Sequence, residues 1–222
     1  MSLPPIRALL FDLDGTLIDS APDLAGAAND MRVAHGLAVL PLDHFRPMVG
    51  SGARGMVDRA FGVGPGDERF AGLRDEYLKR YEARMTRDTH VFPAVAQLLN
   101  ELDRRGTPWG IVTNKAARYA EPIAAMLGLL RRAGAVVCGD TMEQAKPHPA
   151  PLLEAARRLG IEASACAYVG DDLRDVQAGT AAGMVTVAVT WGYLGLGEPV
   201  ESWGAAHVIE SPLELLQRLQ MA

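Results

Sequence analysis

The sequence predicts an α/β protein: a doubly wound parallel sheet with helices on both faces, and a small all-helical segment inserted after the first strand. Three observations support this fold class. Short apolar runs alternate with helical patterns over residues 91–222, residues 17–90 show helical patterns alone, and polar residues follow several of the apolar runs. We therefore assign residues 1–16 and 91–222 to an α/β core and residues 17–90 to the helical insertion.

The first element is a short apolar run at residues 6–11, which stops at Asp12. It is too short for a helix and shows no polar alternation, as expected of a strand buried on both faces. The insertion then contains four segments with helical patterns, separated by glycines. These segments are residues 22–37, 42–49, 53–61 and 67–85. We predict no strand between residues 17 and 90.

The rest of the chain alternates between strands and helices, with short connections. The predicted strands are residues 109–113, 135–138, 165–169, 185–189 and 207–209. The predicted helices are residues 94–105, 116–127, 149–159, 173–182 and 212–219. The first four of these helices stop at or just before a glycine, the usual residue after a helix. Such alternation is typical of a Rossmann-like parallel sheet that is covered on both faces.

The composition argues against several kinds of partner. A net charge of −5 does not favour a nucleic-acid-binding surface, which needs clustered Lys and Arg. No apolar stretch approaches the ~20 residues of a membrane span, and the N-terminus lacks the pattern of a signal peptide. Two cysteines, Cys138 and Cys166, are too few for a disulfide framework. We therefore expect a cytoplasmic monomer or homodimer with no nucleic-acid or membrane partner.

Polar residues follow the predicted strands, where parallel α/β sheets bind their ligands. Residues 12–16 are Asp-Leu-Asp-Gly-Thr, residues 113–115 Thr-Asn-Lys, residues 146–147 Lys-Pro, and residues 170–175 Gly-Asp-Asp-Leu-Arg-Asp. Crowded carboxylates need a cation, and oxygen ligands favour Mg²⁺. An aspartate can attack phosphorus while a metal, a lysine and a hydroxyl group neutralise the phosphoryl oxygens. These residue types therefore predict metal-assisted phosphoryl transfer.

In order and position, these four segments resemble the motifs of the haloacid-dehalogenase superfamily, whose members can carry a helical cap domain after the first motif. The resemblance implies that Asp12 is both the nucleophile and a Mg²⁺ ligand. It implies that Asp14 offers its backbone carbonyl to the metal and its side chain as general acid and then base. Asp171 would ligate Mg²⁺, and Asp175 would support that site. Because the dehalogenase branch lacks the second carboxylate, Asp14 favours phosphate esters over haloacids.

The phosphoryl group has its own set of implied contacts. By the same resemblance, Thr113 and Lys146 hold the transferring phosphoryl group, and Asn114 supplies an amide for hydrogen bonds. Asp172 and Arg174 are interpreted as a helix cap and a surface charge.

The substrate is predicted from further segments of the chain. Residues 49–54, 112–115 and 146–149 resemble the phosphoglycolate phosphatase group, which implies hydrolysis of 2-phosphoglycolate. Residues 112–122, 170–175 and 191–193 also resemble bacterial N-acetylmuramic acid 6-phosphate phosphatases, so a sugar phosphate is the alternative. Arg54 follows two glycines in the insertion and has two interpretations. It either binds the substrate's leaving group or lies exposed at the start of a helix.

A different class of protein uses similar residues. Bacterial receiver domains combine an acid pair, a phospho-accepting Asp, a hydroxyl residue and a Lys on a parallel α/β sheet, yet they are signalling modules. Their accepting Asp lies on the third strand, and they need no helical insertion. Both differences favour an enzyme, and the small cap favours a small-molecule phosphate ester as its substrate.

Overall fold

The computed structural model describes residues 6–218, with strands and helices numbered here in chain order. Its main sheet consists of β1 (Ala8–Phe11), β4 (Trp109–Val112), β5 (Ala135–Val137), β6 (Cys166–Gly170), β7 (Val185–Val189) and β8 (His207–Ile209). All six strands are parallel, in the order β5-β4-β1-β6-β7-β8. The chain thus builds outwards from β1, first on one side and then on the other. The predicted doubly wound parallel sheet is confirmed.

The central position of β1 explains why its sequence is apolar throughout. Leu9 and Phe11 belong to a hydrophobic cluster on one face of the sheet, whereas Ala8 and Leu10 belong to a cluster on the other. All four side chains are buried. A strand that packs on both faces cannot carry the polar alternation of a half-exposed strand.

The register of the three central strands determines where the polar residues meet. Phe11 pairs with Ile111 of β4 on one side and with Val169 of β6 on the other. The three strands therefore end at the same level. The polar residues that follow them lie side by side at the carboxyl edge of the sheet.

Helices cover both faces of the sheet. α5 (Pro93–Arg105) and α6 (Ala117–Met126) contribute to the cluster that contains Leu9 and Phe11. α7 (Ala150–Leu159) and α8 (Leu173–Ala181) contribute to the opposite cluster. The last predicted helix begins as a 3-10 turn and continues as α9 (Leu215–Arg218), and its predicted end at 219 lies outside the described residues.

The insertion forms four helices: α1 (Ala21–Ala34), α2 (Leu42–Phe45), α3 (Gly52–Phe61) and α4 (Phe70–Glu82). Their largest fully buried side chains include Met31, Phe45, Met56 and Tyr77, which belong to the same cluster as Leu9. The helical insertion therefore packs as a cap on one side of the core. The exact limits of 17–90 for this cap stay a prediction.

The prediction of no strand between residues 17 and 90 is wrong at both ends of the insertion. β2 (Ile18–Asp19) pairs antiparallel with β3 (His90–Val91), with Ile18 opposite Val91. Each strand has only two residues, too few to show an alternation pattern, and their partner is distant in the sequence. The two strands join the cap to the core where the chain leaves and re-enters it.

Helix boundaries in the cap also differ from the prediction. α2 stops at Phe45, and residues 46–51 form a 3-10 turn that contains Pro47. Proline lacks the backbone N–H that a continuing α-helix would use. α4 begins at Phe70, because the glycine-rich residues before it form turns.

Two expectations from composition can be compared with the structure. Cys138 and Cys166 are buried free thiols, and burial raises the pKa of each to about 11. Across residues 6–218, no helix is long and apolar enough to cross a membrane.

Candidate active site

The carboxyl edge of the sheet and the cap enclose a cavity of about 250 Å³. The cap contributes α1 and the 3-10 turn before α3, and the core contributes the loops that follow its strands. The cavity is lined by Asp12, Asp14, Leu24, Val49, Gly50, Ser51, Gly52, Thr113, Asn114, Lys115, Lys146, Asp171, Asp172, Arg174 and Asp175. All the predicted site residues except Arg54 are in this lining.

Asp12 follows β1 directly and is held in a fixed orientation. Its Oδ1 accepts a hydrogen bond from the Leu13 backbone N–H at 2.7 Å and lies 2.8 Å from Lys146 Nζ. The pKa of Asp12 is raised to about 7. Burial is the main cause, the Lys146 ammonium opposes it, and the charges of Asp175 and Asp14 add to it. A carboxylate so crowded by other carboxylates is stabilised as an anion by any cation that binds beside it.

Lys146 is buried and anchored from several directions. Its Nζ lies 2.8 Å from Asp12, Asp175 and Tyr168, and 3.0 Å from the carbonyl oxygen of Val112. Burial favours a lower pKa for Lys146, but the charges of Asp12 and Asp175 outweigh it and raise the pKa above its usual value. Lys146 is therefore a fixed cation beside the predicted nucleophile.

Asn114 explains how the Lys146 loop is positioned. Its side-chain amide donates to the Lys146 carbonyl and accepts from the Lys146 backbone N–H, each at 2.9 Å. Thr113 is buried at the cavity, and its hydroxyl accepts the Lys115 backbone N–H at 3.1 Å. The direct contact of Thr113 and Asn114 with substrate stays a prediction. In this structure the Asn114 side chain is hydrogen-bonded to the Lys146 backbone.

Three carboxyl groups converge where the sequence predicts a metal. Oxygens of Asp12, Asp171 and Asp175 lie within 4.8 Å of one another. Burial, together with the charges of Asp12 and Asp175, raises the pKa of Asp171 well above its usual value. A divalent cation would relieve this repulsion, so the donor set fits an oxygen-liganded metal.

Asp175 accepts three hydrogen bonds, one of them from the ammonium group of Lys146. Its Oδ1 accepts from Lys146 at 2.8 Å and from Tyr168 at 3.2 Å, and its Oδ2 accepts the Asp172 backbone N–H at 3.1 Å. Asp171 also accepts at both oxygens, but only from neutral donors, so it is freer than Asp175 to bind a cation. The supporting role of Asp175 stays a prediction.

Asp171 is held by groups that come from distant parts of the chain. Its Oδ1 accepts from the Thr16 hydroxyl at 3.0 Å, and its Oδ2 accepts the Tyr193 backbone N–H at 2.8 Å. Gly15 has a φ of +83°, and a Cβ there would lie 2.1 Å from Asp171 Oδ2. The glycine after the two aspartates therefore permits both the left-handed turn and the close approach of Asp171.

Asp14 faces a different set of groups from Asp12. Its carboxylate accepts a hydrogen bond from the Ser20 hydroxyl and binds Lys115 Nζ at 3.0 and 3.1 Å. The Lys115 ammonium also lies 4.9 Å from the centre of the Tyr81 ring on the cap. Burial lowers the pKa of Lys115, but the Asp14 charge reverses this effect and raises it. The two aspartates of the first motif thus lie in separate environments.

Two site residues were missed by the sequence interpretation. Lys115 was considered only as part of its motif, and Arg174 was interpreted as a surface charge. Arg174 lines the cavity and donates hydrogen bonds to Asp172 and to the carbonyl oxygen of Gly50 on the cap. Asp172 caps α8 as predicted, since its side chain accepts the Arg174 backbone N–H. The available signal was position, because both cations lie within the polar segments that follow strands.

Arg54 lies elsewhere. It is exposed on the first turn of α3 and is not among the residues that line the cavity. The buried positions of this helix are Gly55, Met56, Val57 and Ala60. This conformation does not support contact between Arg54 and the substrate, which stays a prediction.

Tyr193 links the site to the cap. Its backbone holds Asp171, and its hydroxyl accepts the backbone N–H groups of Ser20 and Ala21 at 2.9 and 3.1 Å. The same hydroxyl lies 3.1 Å from Asp19 Oδ1. One buried side chain therefore connects the predicted metal site to the strand that leads into α1.

Comparison with known proteins agrees with this geometry. Residues 9–189 match the model of the "Haloacid dehalogenase-like hydrolase" family. A phosphoglycolate phosphatase from Xanthomonas campestris is 46% identical over 94% of both chains. An N-acetylmuramic acid 6-phosphate phosphatase from Pseudomonas aeruginosa is 40% identical over 98% of this chain and 96% of that protein.

The fold has close counterparts among solved structures. The crystal structure of a predicted phosphoglycolate phosphatase from Haemophilus somnus superimposes with a TM-score of 0.83. It covers 97% of this chain and 99% of its own, at 24% identity, so this likeness concerns the fold alone. With the family match over most of its length and relatives at 40–46% identity, the chain belongs to the haloacid dehalogenase-like hydrolase family.

Proposed function

We propose that the protein is a Mg²⁺-dependent phosphatase that hydrolyses a small phosphate monoester through an aspartyl-phosphate intermediate on Asp12. Its preferred substrate would be 2-phosphoglycolate, which yields glycolate and phosphate. The observation that carries this proposal is the arrangement around Asp12. Its carboxylate lies between the fixed cation of Lys146 and the carboxylate of Asp171, in a small cavity that also contains Asp14.

Asp12, Asp171 and the backbone carbonyl of Asp14 would hold the metal. An all-oxygen donor set with few carboxylates and room for water and substrate oxygens suits Mg²⁺. When bound, Mg²⁺ would neutralise charge on Asp12 and on the phosphoryl oxygens.

The side chains supply the chemistry in two steps. In the first, Asp12 Oδ forms a bond to phosphorus as the bond between phosphorus and the ester oxygen breaks, and Asp14 donates a proton to the leaving alkoxide. In the second, Asp14 takes a proton from a water molecule, which attacks phosphorus and releases phosphate and free Asp12. Lys146 and Thr113 would hold the phosphoryl oxygens in line throughout.

The small cavity supports a small leaving group. Its volume of about 250 Å³ is below the ~300–1,000 Å³ that is typical of sites for drug-sized ligands. The cap contributes Leu24 and Val49 to the lining, which leaves little space for a sugar in this conformation. The 46% identical Xanthomonas relative also carries the name phosphoglycolate phosphatase.

N-acetylmuramic acid 6-phosphate is the second candidate. The observation that favours it is the 40% identical relative from Pseudomonas aeruginosa, which matches nearly the whole chain. Steady-state kinetics on both compounds and on p-nitrophenyl phosphate distinguish the two. We expect the highest kcat/KM on 2-phosphoglycolate, and a higher value on the sugar phosphate would exclude our first choice.

The same assay addresses the signalling alternative. An enzyme releases many equivalents of phosphate from p-nitrophenyl phosphate with Mg²⁺, whereas a receiver-type module is labelled once. We expect multiple turnovers, in a cytoplasmic protein that is a monomer or a homodimer.

A further inference from the structure

We infer that Lys115, together with the Tyr81 hydroxyl, binds a carboxylate on the carbon atom that carries the ester oxygen of the substrate. Lys115 is then a specificity-determining residue, and the cap contributes to recognition through Tyr81 rather than through Arg54. This inference rests on the proposed phosphatase function and deepens it, because it names the group that makes 2-phosphoglycolate preferred.

The basic side chains of the cavity differ in whether they are available to a leaving group. Three basic side chains line the cavity: Lys115, Lys146 and Arg174. Lys146 forms ion pairs with Asp12 and Asp175, where the phosphoryl group would bind. The Arg174 guanidinium group already donates hydrogen bonds to Asp172 in the core and to the Gly50 carbonyl oxygen on the cap.

Lys115 is paired with a different carboxylate, Asp14. Its ammonium group donates to Asp14 at 3.0 and 3.1 Å, and the Tyr81 hydroxyl lies close enough to interact with it. Asp14 is the group that protonates the leaving oxygen, so Lys115 must lie beside the leaving group. An ammonium has three N–H donors, and the two contacts with Asp14 leave one that faces the Tyr81 hydroxyl or a ligand.

Tyr81 packs beneath Lys115. The Lys115 ammonium lies 4.9 Å from the centre of the Tyr81 ring, and Tyr81 is 2% exposed. The Tyr81 hydroxyl is buried, and among residues 6–218 no group accepts its proton. Tyr81 itself does not line the cavity, but its hydroxyl lies next to Lys115, which does. Because buried hydroxyl groups are nearly always hydrogen-bonded, a carboxylate bound at Lys115 would provide the missing acceptor.

The two candidate substrates differ in where their carboxylate lies. In 2-phosphoglycolate the carboxylate is attached to the carbon that carries the ester oxygen. A proton donor at the ester oxygen and a cation beside that donor therefore contact the ester oxygen and the carboxylate at the same time. In N-acetylmuramic acid 6-phosphate the lactyl carboxylate is on the far side of the sugar from the 6-phosphate, beyond the reach of the same pair.

A different role for Lys115 has to be separated from recognition. Lys115 also orients Asp14, so its removal could slow proton transfer to every poor leaving group. Ethyl phosphate resolves this question, because its two-carbon leaving group needs the same protonation but has no carboxylate. A purely orienting lysine affects both esters equally, whereas a lysine that also binds the carboxylate causes a larger loss on 2-phosphoglycolate than on ethyl phosphate.

The test measures kcat/KM on 2-phosphoglycolate and ethyl phosphate for the parent, Lys115→Met, Lys115→Gln and Tyr81→Phe. A charge-assisted hydrogen bond predicts a roughly ten- to a hundredfold loss on 2-phosphoglycolate for either Lys115 variant. Tyr81→Phe should lose less than Lys115→Met, because a neutral donor is removed. Tyr81→Phe should stay within a few-fold of the parent on ethyl phosphate. Any loss of the Lys115 variants on ethyl phosphate reflects the orientation of Asp14, and it should be smaller than their loss on 2-phosphoglycolate by roughly tenfold or more. Lys79→Met, at an exposed lysine on the same cap helix, is the matched control.

Binding without turnover provides an independent measurement. In 3-phosphonopropionate a methylene group replaces the ester oxygen of 2-phosphoglycolate, and propylphosphonate lacks its carboxylate. Lys115→Met should weaken inhibition by 3-phosphonopropionate by the same factor and leave propylphosphonate unchanged. Equal losses on both esters with unchanged inhibition would show that Lys115 acts only by orienting Asp14, and would overturn the inference.

Three further outcomes are decisive. If Arg54→Met loses the preference for 2-phosphoglycolate and Lys115→Met retains it, recognition belongs to Arg54 and the inference is wrong. If the parent hydrolyses ethyl phosphate as well as 2-phosphoglycolate, the proposed substrate and the inference both fail. If the parent prefers 2-phosphoglycolate and the Lys115 variants keep that preference, the inference alone fails.

Discussion

At the scale of single residues, Asp12 and Asp14 are two positions apart yet differ in every neighbour that matters for chemistry. Asp12 lies among other carboxylates with Lys146 as its cation, where a phosphoryl group and a metal would be placed. Asp14 binds Ser20 and Lys115, where the proposed mechanism would place the leaving group. Different surroundings allow one aspartate to act as nucleophile and the other as acid and base.

Asp14→Asn is expected to remove the proton donor while it preserves the backbone carbonyl at the metal. General acid catalysis contributes typically ~10²–10⁴-fold, so kcat/KM on an alkyl phosphate should fall by that factor. The fall should be much smaller on p-nitrophenyl phosphate, because its leaving group needs little protonation. Equal losses on both kinds of ester would exclude Asp14 as the acid.

Sequence motifs located the polar residues of the site but not all their partners. Asp12, Thr113, Lys146 and Asp171 follow strands, so the topology alone brings them to one edge. The direction of Lys115 depends on contacts with Asp14 and Tyr81, which come from distant parts of the chain. A motif cannot reveal contacts of that kind.

At the scale of elements, the junction between core and cap is organised by Tyr193. Its hydroxyl binds the backbone at the start of α1 and the side chain of Asp19, which in turn forms a 2.9 Å ion pair with Arg46 of the cap. The short strands β2 and β3 lie at the same junction. Neither feature could be predicted from periodicity, because both depend on pairing across the whole insertion.

Tyr193→Phe is expected to destabilise the protein without changing its metal requirement. The substitution leaves the buried Ser20 N–H without an acceptor, which costs about 1–3 kcal/mol, whereas the Ala21 N–H keeps its bond to Asp19. The bond to Asp171 comes from the Tyr193 backbone and is retained.

Urea unfolding measures this loss, and titration of activity with Mg²⁺ measures the metal requirement. Tyr119→Phe is the matched control, since its hydroxyl makes no hydrogen bond within the described chain and its loss should be small. An unchanged free energy of unfolding in Tyr193→Phe would show that the junction does not depend on this hydroxyl.

At the scale of the whole molecule, the crowded carboxylates link stability to pH and to metal. Burial and neighbouring charge raise the pKa of Asp12 to about 7, so the folded protein holds this proton more tightly than the unfolded chain does. The stabilisation that results is fully present below pH ~4 and is lost as the pH rises through about 7. A bound cation should reverse this loss, because it favours the ionised carboxylate.

Urea unfolding in excess chelator should therefore show a decline in stability between pH 5 and 8 that is smaller in Asp12→Asn. Mg²⁺ should restore stability to the parent at pH 8, by about 2.7 kcal/mol at a hundred times its Kd. Asp171→Ala should lose that stabilisation. If Mg²⁺ leaves the parent's unfolding curve unchanged, or if chelator leaves turnover unaffected, the metal site is wrong.

The central claim is that the phosphoryl group passes through Asp12, and the Asp14→Asn variant tests it most directly. p-Nitrophenyl phosphate can still phosphorylate Asp12 in this variant, but no base remains to activate the water that releases phosphate. After rapid acid quenching in the presence of Mg²⁺, we expect one p-nitrophenol per protein in a burst, and mass spectrometry should locate one phosphoryl group on Asp12. The Asp12→Asn, Asp14→Asn double variant should show neither signal. A burst with the phosphoryl group on another residue, or phosphate release with no phosphorylated protein, would contradict the mechanism.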